Sequence, residues 1–403
     1  MLQCPYILYL KSQANIKIFR HAVLELTLGR LVGKGGFSVV FEVAKIDVDE
    51  VYDISKKSAI ERREEARQAV DETGRPRFAV KMLRDDLIEE EHSKGVIDLA
   101  VEARFLRRLA HANIVSMRAT AISDPLESRF FVILEMLDGT LEEKLHSWRR
   151  EINKTLSVWC GPFGYCCANK AVLSKTWVER MIVARSVASA LKYLHSENII
   201  YRDLKPENVG FSGIQVKLFD FGLSKRLLPD DKAANGLYRL TGNTGSLRYM
   251  APEVARNQFY NTKADTYSFA IVFWQLCSLT VPFAGYNVRR HAEEVVGRGY
   301  RPGILRSWPA SWGELMKTCW QSDIGARLDF DQILDAINDE YEALVTTQKG
   351  QNVADIRGKK TRLPEDFEIS KKLDADTRID NLTEEDEFQE LELTERNHDN
   401  DII

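Results

Sequence analysis

Three stretches of the sequence hold residue types suited to handling phosphate. The first is Gly33-Lys34-Gly35-Gly36-Phe37-Ser38-Val39-Val40. Glycines allow a tight turn and let backbone N–H groups come close to a phosphate. A dinucleotide fold needs a helix directly after such a turn, whereas Val39-Val40-Phe41-Glu42-Val43 reads as a strand. The Walker pattern ending in Gly-Lys-Ser/Thr is also absent. A glycine-rich β-hairpin covering a nucleotide remains. The second stretch is the apolar run Phe78-Ala79-Val80-Lys81. Alone, one lysine in such a strand is an ordinary surface residue. Glu102, further on in an apolar helical stretch, offers the carboxylate that a phosphate-binding lysine needs for orientation. The third is Tyr201-Arg202-Asp203-Leu204-Lys205-Pro206-Glu207-Asn208, followed by Asp220-Phe221-Gly222.

With these strings the chain resembles the eukaryotic protein kinases. H-R-D-x-x-x-x-N keeps its spacing from Asp203 to Asn208, with Tyr201 replacing the His. Ala251-Pro252-Glu253 supplies the A-P-E element. Asp265 and Arg327 stand where this family has a buried helix Asp and the Arg that pairs with the A-P-E Glu. The resemblance covers about residues 26–341. It implies an α+β, two-lobed fold, with a small antiparallel β lobe carrying one key helix and a larger, mainly helical lobe.

The resemblance also implies an ATP- and Mg²⁺-dependent phosphotransferase. Lys81 would then hold the α/β-phosphates and Glu102 would fix Lys81. Asn208 and Asp220 would bind Mg²⁺, a hard cation that prefers oxygen ligands. Asp203 would orient the substrate hydroxyl and accept its proton, a role generally worth about 10²–10⁴ in rate. Lys205 would neutralise charge on the γ-phosphate. Val32, Gly33, Lys34, Gly35, Gly36, Phe37, Ser38, Val40 and Ala79 would surround the nucleotide. Leu134 would guard the back of its pocket, with Glu135 to Leu137 as the hinge. Asp265 and the Glu253–Arg327 pair have structural roles.

Lys205 and Ser246 point to a Ser/Thr acceptor in protein substrates. Thr244-Gly245-Ser246-Leu247-Arg248-Tyr249-Met250-Ala251-Pro252-Glu253 and Cys319-Trp320-Gln321-Ser322-Asp323 resemble the tyrosine-kinase-like group of Ser/Thr kinases. The rival readings are a pseudokinase scaffold and a dual-specificity or tyrosine kinase. Three positions depart from the pattern: Ser38 replaces the third loop glycine, Gly210 stands where an apolar residue usually supports the adenine, and Leu328 follows Arg327 in place of Pro. The Gly210 departure predicts a roomier pocket floor, and the Leu328 departure is expected to be harmless. Thr241 or Thr244 is a candidate for activating phosphorylation, by another kinase or by the chain itself, with Arg202 receiving the phosphate. The alternative makes both threonines ordinary turn residues, since Gly242 and Gly245 interleave them.

Around these residues the sequence proposes elements. Leu26 to Val32 and Val39 to Val43 read as strands, as do Phe78 to Leu83 and Arg129 to Leu137. Asp98 to Leu109 reads as a helix, with a second over Trp177 to Leu194 on Val178, Met181, Ile182, Val187, Leu191 and Leu194. Residues 261–337 read as mostly helical. The charged stretch 44–77 predicts a solvated insertion in a first lobe of about 26–137. The stretch 148–175 predicts a loop insertion in a second lobe of about 138–345. Residues 1–25 read as an extension.

The 403 residues carry 44 % hydrophobic and 29 % charged side chains, the balance of a globular chain with a real core. A net charge of −4 excludes a dedicated nucleic-acid binder, which needs a basic surplus. From Gln351 onward, 16 acidic residues face 8 basic ones, which with few aromatics predicts a disordered acidic tail over residues 346–403. Six cysteines in a chain this long do not form a disulfide framework, and Cys160, Cys166 and Cys167 have poor zinc spacing. Met1 to Leu10 lacks the pattern of a signal peptide. Residues 269–285 are interrupted by Gln275, Ser278, Thr280 and Pro282 and read as a buried core helix, not a membrane span. An intracellular protein is expected, in the cytoplasm or, through Arg357, Lys359, Lys360 and Arg362, in the nucleus.

Overall fold

The computed structural model describes residues 19–49, 56–157, 170–233 and 235–356. The chain divides into two compact units, Met1–Thr140 with Asn208–Ser224, and Leu141–Glu207 with Lys225–Ile403.

The first unit is built on a six-stranded sheet of β1 (Phe19–His21), β2 (Leu26–Lys34), β3 (Ser38–Ile46), β4 (Phe78–Leu83), β5 (Met117–Ala121) and β6 (Phe131–Glu135). The order is β1-β5-β6-β4-β3-β2. Five of the strands form an antiparallel run, and β1 joins β5 in parallel. The central strands β4 and β6 are mainly apolar because both of their faces are covered: Val80, Phe131, Val132 and Ile133 are fully buried. Helix α1 (Lys56–Arg67) precedes β4 and helix α2 (Glu89–Leu106) follows it. Gly95, Val96, Leu99, Glu102, Ala103 and Leu106 form the buried stripe of α2, the spacing that keeps side chains on one helix face. A small sheet of β7 (Gly139–Thr140), β8 (Val209–Ser212) and β9 (Gln215–Leu218) completes the unit.

Residues 44–77 differ from a purely solvated insertion. Ala44 to Ile46 continue β3, and Arg62 on α1 is buried with its guanidinium paired to buried Glu25. Glu25 also accepts from the backbone N–H of Ala22 at 2.9 Å and of Asp49 at 2.8 Å. A buried guanidinium is tolerable only when paired and hydrogen-bonded, so this contact anchors α1. Of the expected extension, Phe19–His21 joins the sheet as β1, and Val23–Glu25 is a short 3-10 turn whose Glu25 takes Arg62.

The second unit is mainly helical, with α3 (Leu141–Ser157), α4 (Lys170–Ser196), α5 (Lys263–Ser278), α6 (Ala310–Cys319) and α7 (Phe330–Ile356). The expected loop over 148–175 is a correction: α3 continues to Ser157 and α4 begins at Lys170. Trp148 is buried and its indole N–H donates to Glu179 at 2.7 Å. Residues 158–169, with the loop-like Gly161, Pro162 and Gly164 and three cysteines, lie outside the described residues, as do 1–18 and the tail beyond 356. On α4, Ile182 is 37 % exposed while Val183 and Ala184 turn inward, so the apolar face sits one position from where the sequence put Ile182.

Helix α5 is buried on nearly every side. Phe269 meets Phe330 of α7 edge-on at 5.5 Å, and Phe273 meets Trp312 of α6 at 6.1 Å. Buried Arg180 lies over the Trp177 ring at 3.5 Å and donates to the carbonyls of Leu276 and Cys277. Those acceptors have no partner within their own helix. Among the described residues no helix is long and apolar enough to cross a membrane.

Candidate active site

In the first unit Lys81 sits in the centre of β4, in register with Val40 of β3 and Val132 of β6. Its ammonium donates to Glu102 Oε2 at 2.7 Å and to Asp220 Oδ1 at 3.1 Å. Glu102 is 1 % exposed, whereas 43 % of the Asp220 side chain remains accessible. Burial works against the Lys81 charge, but the carboxylates of Asp220 and Glu102 outweigh it and hold the pKa above the ordinary lysine value. A permanent cation is therefore fixed beside a half-open carboxylate. Asp220 has φ +61°, left-handed backbone that costs an L-residue about 1–2 kcal/mol. Such strain persists where the surroundings impose it, commonly at functional positions.

The glycine-rich segment joins β2 and β3, with Gly33 opposite Val40. At Gly33 and Gly36 nothing lies within 4 Å of where a side chain would begin, which leaves that backbone approachable. Val32 is 43 % exposed on β2, and Ala79 stands opposite Leu134 in the β4–β6 register. The Glu135 side chain is turned to the framework: it accepts from Ser116 N–H at 2.7 Å and pairs with buried Lys217 at 3.1 Å. Gly210 does not leave a roomier floor. A Cβ built there would stand 2.6 Å from Leu137 Cδ1 and 3.2 Å from Phe219 Cε1, so Leu137 occupies the space that the missing side chain gives up.

In the second unit Asp203 Oδ1 accepts from both the backbone N–H and the hydroxyl of Ser246, each at 2.9 Å. Lys205 Nζ lies 3.7 Å from Oδ2. Two neutral donors and one nearby ammonium thus fix the carboxylate rotamer. The backbone behind it is held by Asp265 of α5, 1 % exposed, which accepts from Tyr201 N–H at 2.9 Å, Arg202 N–H at 2.8 Å and His195 Nε2 at 2.8 Å. Arg202 has φ +74°, and Asp265 binds the turn that carries it. Gly245 has φ +98°, and a Cβ there would lie 2.3 Å from the Arg202 carbonyl oxygen. Only glycine allows that approach. Buried Arg327 grips Glu253 with two parallel bonds, at 2.5 and 2.8 Å.

The two threonines separate. Arg202 donates to Thr241 Oγ1 at 2.8 Å, while the Thr244 hydroxyl donates to the carbonyls of Gly242 and Thr241 at 3.0 and 3.3 Å. Thr244 is a turn residue; Thr241 presents its oxygen to a cation. Tyr260, whose hydroxyl donates to the Thr241 carbonyl at 2.7 Å, was not singled out in the sequence, and no motif marks it. The same holds for Lys217 and for the Arg84–Asp86 pair beneath the glycine-rich segment.

Asn208 is buried and Asp220 half-open. One carboxylate and one amide oxygen form the donor set that suits Mg²⁺, which binds through one or two carboxylates plus phosphate oxygens and waters. Among the described residues no group of three or more His, Cys, Asp or Glu side chains is placed to hold an ion.

A model of the protein tyrosine and serine/threonine kinase family matches residues 26–337. The chain is 28 % identical over 262 residues to serine/threonine-protein kinase STY17 of Arabidopsis thaliana, covering 64 % of this chain and 40 % of that protein. It is 31 % identical over 270 residues to serine/threonine/tyrosine-protein kinase HT1 of Arabidopsis thaliana, covering 66 % of this chain and 61 % of that protein. Against serine/threonine-protein kinase mos of Patiria pectinifera the identity is 29 % over 264 residues, 65 % of this chain and 68 % of the relative. The match thus spans about two-fifths of STY17 and three-fifths of HT1.

Proposed function

Since the chain belongs to the protein tyrosine and serine/threonine kinase family, whose members use ATP and Mg²⁺, we propose that it transfers the γ-phosphoryl group of ATP to Ser or Thr hydroxyls of protein substrates. Phosphoryl transfer asks for positioning and charge neutralisation more than covalent chemistry. Lys81 meets the α/β-phosphates, oriented by Glu102. Asp220 and Asn208 hold Mg²⁺, which when bound neutralises charge developing on the phosphate oxygens. The backbone of residues 33–38 covers the phosphates. Asp203 accepts the proton of the acceptor hydroxyl, and Lys205 balances charge on the transferred group. Retention of Lys81, Glu102, Asp203, Asn208 and Asp220 together argues against a scaffold without activity.

The acceptor class rests on one observation, the Ser246 hydroxyl at 2.9 Å from Asp203 Oδ1. It puts a hydroxyl of the segment leading to Glu253 directly against the base, the arrangement expected of Ser/Thr enzymes. For regulation, Thr241 is the favoured phosphorylation site, since a phosphate there would meet Arg202 in a charge-assisted contact.

The test is γ-phosphate transfer to a generic basic protein with Mg²⁺, with modified residues mapped by mass spectrometry. The expected result is phosphoserine and phosphothreonine that vanish in Asp203→Asn. Phosphotyrosine as the main product would overturn the acceptor class. No transfer by a Thr241-phosphorylated preparation would overturn the enzyme reading.

A further inference from the structure

Helix α2 contains Gly95 in its interior, the least favourable residue there after proline. The reason is steric. A Cβ built on Gly95 would stand 2.8 Å from Phe37 Cβ and 2.9 Å from Leu83 Cδ2. Phe37 is at the tip of the glycine-rich segment, and its Cβ cannot swing away without moving the backbone. The same segment is gripped from below. Arg84 donates to the carbonyls of Gly36 at 2.7 Å and Gly35 at 3.3 Å, and its N–H donates to the Phe37 carbonyl at 3.1 Å. Asp86 fixes that guanidinium with bonds of 2.7 and 2.8 Å and pairs with Lys34 at 3.3 Å.

The stripe of α2 that holds Gly95 also reaches the charged set. Asp98, three residues on, lies against Gly222, with a Cβ there 3.3 Å from Asp98 Cβ. Glu102, seven residues from Gly95, takes Lys81. Positions three, four and seven apart lie on one face, so a single rigid helix carries the loop tip, the Asp220-Phe221-Gly222 turn and the Lys81 partner.

Taking ATP as the ligand of this site, as proposed above, we propose that Phe37 and Gly95 form a latch through which the glycine-rich segment is seated on α2 and kept in register with the Lys81–Glu102 pair. Gly95 and Phe37 are positioning residues. A side chain at 95 displaces the loop tip or turns the helix. Either change reaches the phosphate-binding groups without removing any of them.

The test uses Gly95→Ala, Phe37→Gly and the double variant of the full chain. Three quantities are read: KM for ATP against kcat, thermal stability, and amide hydrogen exchange over residues 35–38 and 95–102. Gly95→Ala should raise KM for ATP about tenfold, as mispositioning does. It should also speed exchange at 35–38 and lower the melting temperature by a few degrees, since overpacking against Phe37 and buried Leu83 outweighs the better helix propensity of Ala. Phe37→Gly should raise KM similarly and speed exchange near residue 95, and adding Gly95→Ala to it should cause no further change. A Gly95→Ala protein that is only more stable, with KM and exchange unchanged, overturns the latch, as do two effects that simply multiply. If the wild type neither binds nor uses ATP, the proposed function fails, and the exchange data alone still decide the latch.

Discussion

The two units hold their chemically important residues in opposite ways. In the first, charge is held by charge: Lys81 lies between Glu102 and Asp220 at 2.7 and 3.1 Å. In the second, Asp203 Oδ1 takes two neutral donors, the N–H and hydroxyl of Ser246, with the Lys205 ammonium 3.7 Å from Oδ2. Behind it buried Asp265, itself bonded by half-buried His195, fixes the backbone of Tyr201 and Arg202, and Glu253 and Arg327 form a buried pair. A group that must meet a polyphosphate has to stay charged, and an ion pair keeps it so. A group that must take a proton is better fixed by donors that leave its charge in place. Both units pay in backbone strain, at Asp220 (φ +61°) and Arg202 (φ +74°).

The largest way to break this contrast is to attack the frame of the second unit. Arg327→Leu leaves Glu253 buried without its partner and should cost about 3–5 kcal/mol. Chemical denaturation would measure the loss. A cost below 1 kcal/mol would show that the frame is not what holds this unit.

A smaller effect comes from acid. His291 is buried at 1 % exposure, and burial, then Arg248 and Arg301, lower its pKa from 6.5 to about 4. The folded unit therefore binds fewer protons than the unfolded chain between those values. Its contribution is fully present above pH 6.5 and is lost as pH falls towards 4, by about 3 kcal/mol in all. His291→Phe should flatten the stability–pH profile across that window. An unchanged slope would place the titration elsewhere.

The smallest concerns the floor beside the hinge. Gly210→Ala crowds chiefly the far end of Leu137, with Phe219 Cε1 next at 3.2 Å, and should cost under about 1.5 kcal/mol, within the range of mild overpacking. Leu137→Ala in the same chain should restore the loss. Failure of the second change to rescue the first would mean that Leu137 does not fill that space.

Much of this was legible in the sequence because chemistry restricts which residue types can stand at Lys81, Glu102, Asp203, Asn208 and Asp220, and because β4, β6 and the Phe269–Phe273 stretch of α5 are mainly apolar. What could not be read depended on partners distant in sequence. Arg62 sits in a charged stretch like any solvated arginine, and its pairing with buried Glu25, 37 residues away, accounts for its burial. Lys217 looks like one polar position in a short strand until Glu135 is found beside it. Gly210 read as an absence of side chain, yet a neighbour supplies the missing volume. Gly95 read as nothing at all, because the reason for a glycine within a helix lies on another element.

The most direct test of the division of labour is Mg²⁺–ATP affinity measured beside single-turnover transfer for Lys81→Met and Asp203→Asn. The contrast predicts that Lys81→Met loses both binding and transfer. Asp203→Asn should bind Mg²⁺–ATP within about twofold of wild type while transfer falls about 10²–10⁴-fold. Equal loss of ATP affinity in the two variants, or near-normal transfer by Asp203→Asn, would contradict it.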